Sequence, residues 1–472
     1  MQKSRLIPTI ALAVSVAVAT STASSPLLAK DKPQGGAAEV HLLNDPESTE
    51  LLNQLGRPLI EAAGLAPQRP VQFHIILARA INAFALPNHH IVFHSGLIES
   101  ARDPGELSGV LAHELGHLAA GHAIQLQEAA GNISVRTLIT MAAGIAAGVA
   151  AKDGQIIGAT LMGSSAAGQS TLLDTMRQKE HQADQLAVHY LSRAHIGSDG
   201  MIHFMERLNR EQRLAVLPAP YLLTHPLNSQ RVIELRDMAQ QQRPTTDHEA
   251  SGSQQQNQQW LARVQAKLEA IQATDPQQLA LQLEQKLPAI TDDKSLFVAR
   301  YALALALRYA GELERAEQLF SRLLQQQPQD VWLLRERALT RLERGQLSPA
   351  ETDLRSALQQ RPEQSDLRYH LARALNERKQ YPAASGILRQ LTIDDQEDAR
   401  AFYLLGQVEQ QLGHIGSSHL ALARYARLTM DLDASLWHYR EAEKTLPSAS
   451  LERDTLPSEL AQIRKLRQER RY

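Results

Sequence analysis

Cysteine is absent from this sequence of 472 residues, which excludes disulfide bonds and any metal site built on thiolate ligands. Aromatic residues are scarce, at 4%, and such a low share is typical of helices that pack through alanine and leucine. Neither sign of charge dominates, since 49 basic and 51 acidic residues give a net charge of −2. This balance gives no indication of nucleic-acid binding or of an acidic substrate. The length alone predicts two or more domains.

Long apolar runs are lacking as well. Residues 133–167 are rich in alanine and glycine, but their longest mainly apolar stretch, 138–151, has 14 residues, whereas a membrane-spanning helix needs about 20. Glycines four apart, such as Gly144 and Gly148, would let two helices approach closely. We therefore expect a mobile helical hairpin that gates a cleft or lies on a membrane surface. An integral-membrane protein is the alternative.

The N-terminus has the composition of a targeting segment. Lys3 and Arg5 precede a short apolar stretch at 6–19, and small residues follow it. This pattern predicts a secretory signal peptide over 1–29, so we expect the mature chain to work outside the cytoplasm. If the source is a Gram-negative bacterium, the expected compartment is the periplasm.

What the sequence does have is the motif His-Glu-Leu-Gly-His at 113–117. Residues four apart lie on one face of a helix, so His113 and His117 can direct two imidazoles at one metal ion. Glu114 projects about 100° around the helix from His113, close enough to take a proton from water that the metal activates. The pattern predicts a zinc hydrolase, although so short a motif also occurs by chance in unrelated helices.

The residues around the motif support a helix. Asp103 is a candidate N-cap and Pro104 suits the first helical position. Ala120 and Ala123 stand where the metzincin motif requires glycine and histidine, so that class of zinc protease is excluded. His122 lies about 180° around the helix from His113, which favours a structural role or a supporting role behind the metal ligands.

A zinc hydrolase usually has three protein ligands, so one more residue is required. Glu180 and Asp184 are one helical turn apart and share a face. Glu180 can complete the metal site, and Asp184 can accept the second ring proton of a ligand histidine. His181 lies off that face and is expected to be a bystander. The alternative is that both acids belong to an ordinary solvated helix face.

Five motifs occur in one order, and together they resemble a known family. They are Asn82-Ala83-Phe84-Ala85-Leu86-Pro87, Ser95-Gly96-Leu97-Ile98, the 113–117 motif with His122, Glu180-His181-Gln182-Ala183-Asp184, and Thr224-His225-Pro226 followed by Arg231. This order is similar to that of the gluzincin metallopeptidases related to the CAAX endoprotease and the heat-shock membrane protease, over roughly residues 45–235. The resemblance implies one zinc ion per subunit, bound by His113, His117 and Glu180. It also implies Glu114 as general base and Asp184 as a second catalytic or orienting acid.

Two further positions gain meaning from the resemblance. His225 lies in a predicted loop, from which it can occupy the fourth metal position or stabilise the oxyanion of the reaction; the alternative is a histidine that caps the next helix. Family members often have Gly-Gly where this chain has Asn88-His89. Asparagine tolerates a left-handed turn, but histidine does so less readily, which leaves the geometry of that turn open.

The fold class predicted for the first domain is α+β and mostly helical. Val71–Leu77 and His90–His94 are predicted strands, with a further extended piece near Asn82–Ala85. Such a small sheet beside the metal-binding helix would let an extended substrate add to its edge strand. We assign residues 30–238 to this zincin-type metalloprotease domain.

Beyond the first domain the composition changes. Residues 239–259 are rich in glutamine and small polar residues and predict a flexible linker. After it, glycine, alanine and proline recur at multiples of 34 residues, the tetratricopeptide period. The recurring positions are Gly311, Gly345 and Gly413, then Ala316, Ala350 and Ala384, then Pro328 and Pro362. At least three repeats are predicted from about 297 to 398, with a fourth beginning at 402–413, in an all-α solenoid over 260–472.

A signal peptide, a protease domain and this array together resemble the beta-barrel assembly-enhancing proteases over nearly the whole mature chain. The resemblance implies an endopeptidase that degrades stalled outer-membrane proteins and contacts their assembly machinery. The residues alone predict less: an exported zinc endopeptidase with an array that binds unfolded or misassembled protein. A non-enzymatic chaperone or adaptor with a latent metal site and an integral-membrane protease are the alternatives.

Overall fold

The structure is a computed structural model, and it describes residues 41–65, 70–122, 166–214, 220–242 and 251–469. The predicted signal peptide at 1–29 and nearly all of the alanine- and glycine-rich region at 133–167 lie outside the described residues. Among the helices of the described ranges, none combines the length and the apolar character needed to cross a membrane.

The first part of the chain combines helices with four short strands. In chain order its elements are β1 Leu42–Leu43, α1 Pro46–Ala62, β2 Gln72–Ile76, β3 Ala83–Leu86, β4 His90–His94, α2 Ser95–Ser100, α3 Pro104–Ala119, α4 Ala166–Arg193, α5 Asp199–Leu214, α6 Pro220–Thr224 and α7 Ser229–Gln241. The strand order is β1-β2-β4-β3, in which β2 and β4 are parallel and the two outer pairs are antiparallel. The three predicted strands are therefore confirmed, whereas β1 is too short to carry a recognisable pattern.

The turn between β3 and β4 resolves the question raised by the replacement of Gly-Gly. Asn88 and His89 both adopt left-handed backbone, with φ of 60° and 64°. The hairpin pairs Leu86 with His90, so β3 remains an edge strand of the described sheet. His89 therefore adopts a left-handed backbone conformation that costs histidine more free energy than glycine. The hairpin between β3 and β4 still forms.

Helix α3 begins as the sequence predicts. The Asp103 carboxylate accepts a hydrogen bond of 3.0 Å from the Glu106 backbone N–H, and Pro104 occupies the first turn. Gly116 brings α4 very close, because a Cβ atom at this position would lie 2.7 Å from the Ala183 carbonyl oxygen. The glycine inside the 113–117 motif therefore allows the helix carrying Glu180 to approach the two histidines.

The second part is an array of paired helices, which confirms the predicted fold class. Its elements are α8 Ser251–Gln272, α9 Pro276–Lys286, a short 3₁₀ turn at Leu287–Ala289, α10 Asp293–Tyr309, α11 Leu313–Gln326, α12 Val331–Glu343, α13 Leu347–Gln360, α14 Ser365–Glu377, α15 Tyr381–Asp394, α16 Ala399–Gln411, α17 Ile415–Leu428, α18 Leu432–Thr445 and α19 Leu451–Glu469. Pairs from α10 to α17 follow the 34-residue period found in the sequence.

The recurring glycines have a conformational cause. Gly311, Gly345 and Gly413 each follow the first helix of a pair with positive φ angles of 83°, 73° and 76°. This is the left-handed position that ends many helices and favours glycine. Lys379 occupies the same place in the third repeat with φ of 60°, so the gap in the glycine series is a substitution and not a break in the period.

Two helices enter the predicted linker at 239–259 from its two ends, and its residues 243–250 lie outside the described residues. Helix α7 extends to Gln241, and α8 begins at Ser251, inside the range 239–259 that was expected to be flexible. Helix α8 then places Leu261, Val264 and Leu268 in the apolar core of the first part of the chain. The glutamines resemble a linker because they precede the buried Leu261 of α8. A helix with one polar end has the composition of a linker.

Candidate metal centre

Four side chains from three segments converge in the first part of the chain. His113 and His117 lie on α3, Glu180 lies on α4, and His225 directly follows α6. One ligand atom from each lies within 4.8 Å of all the others. The distances are 3.1 Å between His113 Nε2 and His117 Nε2, 3.3 Å between His113 Nε2 and His225 Nδ1, and 3.3 Å between His117 Nε2 and Glu180 Oε1. His225 Nδ1 lies 3.2 Å from both Glu180 oxygens.

These separations match the requirements of a small tetrahedral cation. Bonds of about 2.0–2.1 Å to histidine nitrogen and carboxylate oxygen place tetrahedral ligands about 3.3–3.4 Å apart. Five of the six residue pairs approach to between 3.1 and 3.4 Å through one Glu180 oxygen or the other, and the four ligand atoms all lie within 4.8 Å of one another. Nitrogen and oxygen donors at this spacing suit zinc and related divalent transition metals. The residues present therefore fit a metal ion, with His225 as the fourth protein ligand.

Glu114 is fully buried beside this cluster. Neither of its carboxylate oxygens has a hydrogen-bond partner within the described part of the chain, and Oε1 lies 3.5 Å from His225 Nε2. A buried carboxylate without a partner is costly, so it marks a group kept for a task other than stability. Its position next to the ligands, without joining them, suits a proton acceptor.

A second acid holds the ligands in orientation. Asp184 Oδ1 lies 3.0 Å from His113 Nδ1, so the helical spacing of Glu180 and Asp184 produces the contact that it predicts. Arg231 donates two hydrogen bonds to Asp184, of 2.6 and 2.9 Å. Burial alone would raise the pKa of Asp184, but the guanidinium and the hydrogen bonds outweigh burial and lower this pKa to about 2.

Two site residues were missed by the sequence analysis. Arg231 was quoted only as part of a motif, yet its Nη1 also lies 2.8 Å from Glu180 Oε2, so one cation supports both acids. Tyr221 is fully buried, and its ring lies 4.6 Å from the His225 ring. Burial raises the pKa of Tyr221 well above its usual range, which keeps its hydroxyl protonated. The one signal in the sequence for Tyr221 was its position four residues before His225, one helical turn away.

His122 and His181, the other two histidines of the sequence motifs, lie outside the ligand cluster. His122 Nδ1 lies 2.9 Å from His117 Nδ1, and its other nitrogen faces Gln182 at 3.3 Å. It therefore contacts a ligand from behind. His181 is half exposed and lies 3.6 Å from Glu234 on α7.

Comparisons with known proteins agree with both halves of the chain. Residues 46–239 match the family described as Peptidase family M48, and residues 341–408 match a Tetratricopeptide repeat model. A beta-barrel assembly-enhancing protease of Yersinia pestis is 27% identical over 431 residues, which is 91% of this chain and 86% of that protein. The protein of the same description from Escherichia coli K12 is 26% identical and covers 90% of this chain and 85% of its own length. A putative one from Vibrio cholerae is 28% identical over 87% of this chain and 82% of that protein.

Proposed function

We propose that this chain, whose residues 46–239 match Peptidase family M48 and whose residues 341–408 match a tetratricopeptide repeat, is an exported zinc endopeptidase for outer-membrane protein clients. The observation that carries the proposal is the candidate ligand set of His113, His117, Glu180 and His225 beside the buried Glu114, which makes no hydrogen bond in the described part of the chain. A structural metal site has no use for such an acid.

Each residue has a defined task in this proposal. A zinc ion at the site would polarise the scissile carbonyl and acidify a water molecule. Glu114 accepts the proton of the attacking water and returns it to the leaving amine. Asp184 fixes the ring of His113 through Nδ1, and Arg231 holds Asp184 and Glu180 in their charged forms.

The edge strand β3 supplies a place for an extended substrate. Strand β3 packs against α3, which carries both histidines, and the sheet beyond β3 has no further strand among the described residues. A polypeptide that pairs with β3 would be held by backbone hydrogen bonds and aligned with the site without much selection of side chains. Such recognition suits clients that share an unfolded state and no common sequence.

The client class and the compartment rest on the whole chain. The relatives are described as proteases that enhance beta-barrel assembly, and the similarity extends over both halves. The charged, then apolar, then small residues at 1–29 favour export to the periplasm. We therefore place this chain in outer-membrane protein quality control, with the array binding clients or the assembly machinery.

Removal and restoration of the metal tests this proposal. We expect a strong chelator to abolish cleavage of an unfolded polypeptide, because the site then loses its Lewis acid, and equimolar zinc to restore it. Metal content and cleavage rate are measured in the same samples, and magnesium serves as the control addition. Cleavage that persists in fully metal-free protein would contradict a zinc peptidase.

His225 is proposed to cover the metal at rest. With a metal ion held by His113, His117 and Glu180, the Nδ1 of His225 would provide a fourth ligand, in the place that an attacking water molecule or a carbonyl oxygen would need. We expect His225→Ala to raise the cleavage rate of an unfolded substrate by about several-fold, because the position opens. A fall of similar size would instead assign His225 to oxyanion stabilisation. An unchanged rate with unchanged metal content would remove His225 from the site.

A further inference from the structure

The first helices of the five pairs share one position, which we call the groove lane. Its members are Tyr301, Arg335, Tyr369, Tyr403 and Trp437, spaced at the 34-residue period on α10, α12, α14, α16 and α18. Because the same position in successive repeats follows one face of a solenoid, the lane forms one continuous strip. Its members differ sharply in what covers them.

The first half of the lane is covered by the chain itself. The Tyr301 hydroxyl donates a hydrogen bond of 2.6 Å to Glu47, and Arg335 lies 3.8 Å from Asp45. Asp45 and Glu47 are at the start of α1, in the protease part. Lys267 of α8 binds both acids, at 2.7 and 2.9 Å. This half of the lane therefore already holds an acidic segment as an internal ligand.

The middle of the lane is closed by a neighbouring repeat. The Arg400 guanidinium lies 4.8 Å from the centre of the Tyr369 ring, and it is held there by Asp398 at 3.2 Å. Arg335 also donates to Asp366, at 2.6 Å, so the charges in this stretch are paired. No further acidic ligand is required to balance them.

The last two positions are open and aromatic. Tyr403 is 44% exposed and Trp437 is 54% exposed, although both are large apolar side chains. Each ring packs against other rings. The ring centre of Tyr403 lies 5.0 Å from that of Tyr425, and the ring centre of Trp437 lies 5.4 Å from that of His419 and 4.7 Å from that of His438. Rings held by other rings keep their outer faces available for stacking at little cost in side-chain entropy.

We propose that Tyr403 and Trp437 form a subsite that binds an extended, unfolded client segment bearing aromatic side chains. The subsite continues the strip along which the chain binds its own segment, and it begins where that internal ligand ends. Tyr301, Arg335 and Tyr369 are covered by hydrogen bonds and charged groups, whereas Tyr403 and Trp437 leave their rings exposed, which favours rings over carboxylates as partners. This proposal rests on the proposed function, because it assigns to the array the capture of clients for the protease.

The test measures binding separately from cleavage. Three short fluorescent peptides of equal length carry phenylalanine and tyrosine, leucine, or glutamate at the same positions, and anisotropy is recorded with the full chain in the presence of chelator. We expect the aromatic peptide to bind tightest. We also expect Tyr403→Ala/Trp437→Ala to weaken its binding by at least about tenfold, and Tyr403→Phe/Trp437→Phe to retain it, because two ring contacts are lost or kept. Leu281→Ala/Ile393→Ala, which changes two exposed apolar residues outside the lane, 54% and 68% exposed, serves as the matched control.

Equal binding by the alanine variant and wild type would overturn the proposal, as would tightest binding of the glutamate peptide. If the alanine variant does not fold, a photo-crosslinking aromatic peptide is applied to the unmodified chain. Adducts on α16 to α18 support the subsite, and adducts confined to other elements overturn it. If the chain cleaves substrate but its peptide binding does not depend on Tyr403 and Trp437, only the proposed subsite is contradicted. Lane-dependent binding without any cleavage removes the peptidase function instead.

Discussion

The Glu114→Gln variant is expected to lose about 10²- to 10⁴-fold of its peptidase activity while it keeps its metal, which is the usual size of a general-base contribution. Glu114 is fully buried and makes no hydrogen bond within the described part of the chain. Glutamine has the same shape, so the cavity stays filled. Replacing a buried carboxylate by a neutral amide also removes a desolvation cost, so the folded state should be at least as stable.

The measurement combines the cleavage rate of an unfolded protein, zinc content and thermal unfolding for each variant. Glu61→Gln, an exposed acid at the end of α1, is the matched control and should behave as wild type. A Glu114→Gln protein that binds zinc and cleaves at the wild-type rate would show that another group accepts the proton. It would also remove the main argument for an active site over a structural one.

The same variant separates the enzyme from a chaperone or adaptor. If the array alone acts, client capture and assembly should be equal for wild type and Glu114→Gln, and no substrate should be cleaved by either. If the proposed function is right, the variant should bind clients and hold them uncleaved. The ionic contacts of Lys267 with Asp45, Glu47 and Glu336 join the protease part to the array, so the array that we propose to bind clients packs against the part that carries the candidate metal site.

Local spacing explains which parts of the site could be predicted. His113, Glu114 and His117 lie within one helix, so the geometry of a single helix orients them. Glu180 and Asp184 share a face in the same way, and the need for a third metal ligand linked them to the first helix. Arg231 has no such local pattern. Its role arises because α7 packs against α4, where it can reach two acids at once.

The repeats show the same division between local and long-range information. Their period is visible in the sequence because each left-handed turn and each close helix contact selects a small residue. The docking of the array on the protease part cannot be predicted from the sequence. Lys267 is far in sequence from Asp45 and Glu47, and all three are ordinary surface residue types. The helix α8 was missed for a related reason, since its buried leucines begin only after a polar first half.

The second large effect is expected from Glu180→Gln, which should remove the metal as well as the activity. Glu180 would provide the one charged ligand, and burial would raise its pKa, but the neighbouring His225 and hydrogen bonds from the three histidines lower this pKa well below its usual range. A neutral amide oxygen is a much weaker ligand. We therefore expect the loss of zinc affinity to exceed the roughly 10- to 100-fold that follows removal of an outer hydrogen-bond partner. Arg231 keeps its bidentate contact with Asp184 in this variant, so folding should persist.

Zinc affinity is measured by competition with a chelator of known strength, and activity by cleavage of an unfolded protein at saturating zinc. Glu234→Gln, which changes a partly exposed acid on α7, is the matched control. Asp184→Asn provides a graded comparison, because it weakens only the support of His113 and should lose less affinity than Glu180→Gln. If Glu180→Gln retains wild-type zinc affinity, then His225 and the two α3 histidines hold the metal without it. In that case, the tetrahedral arrangement inferred from the ligand distances is wrong.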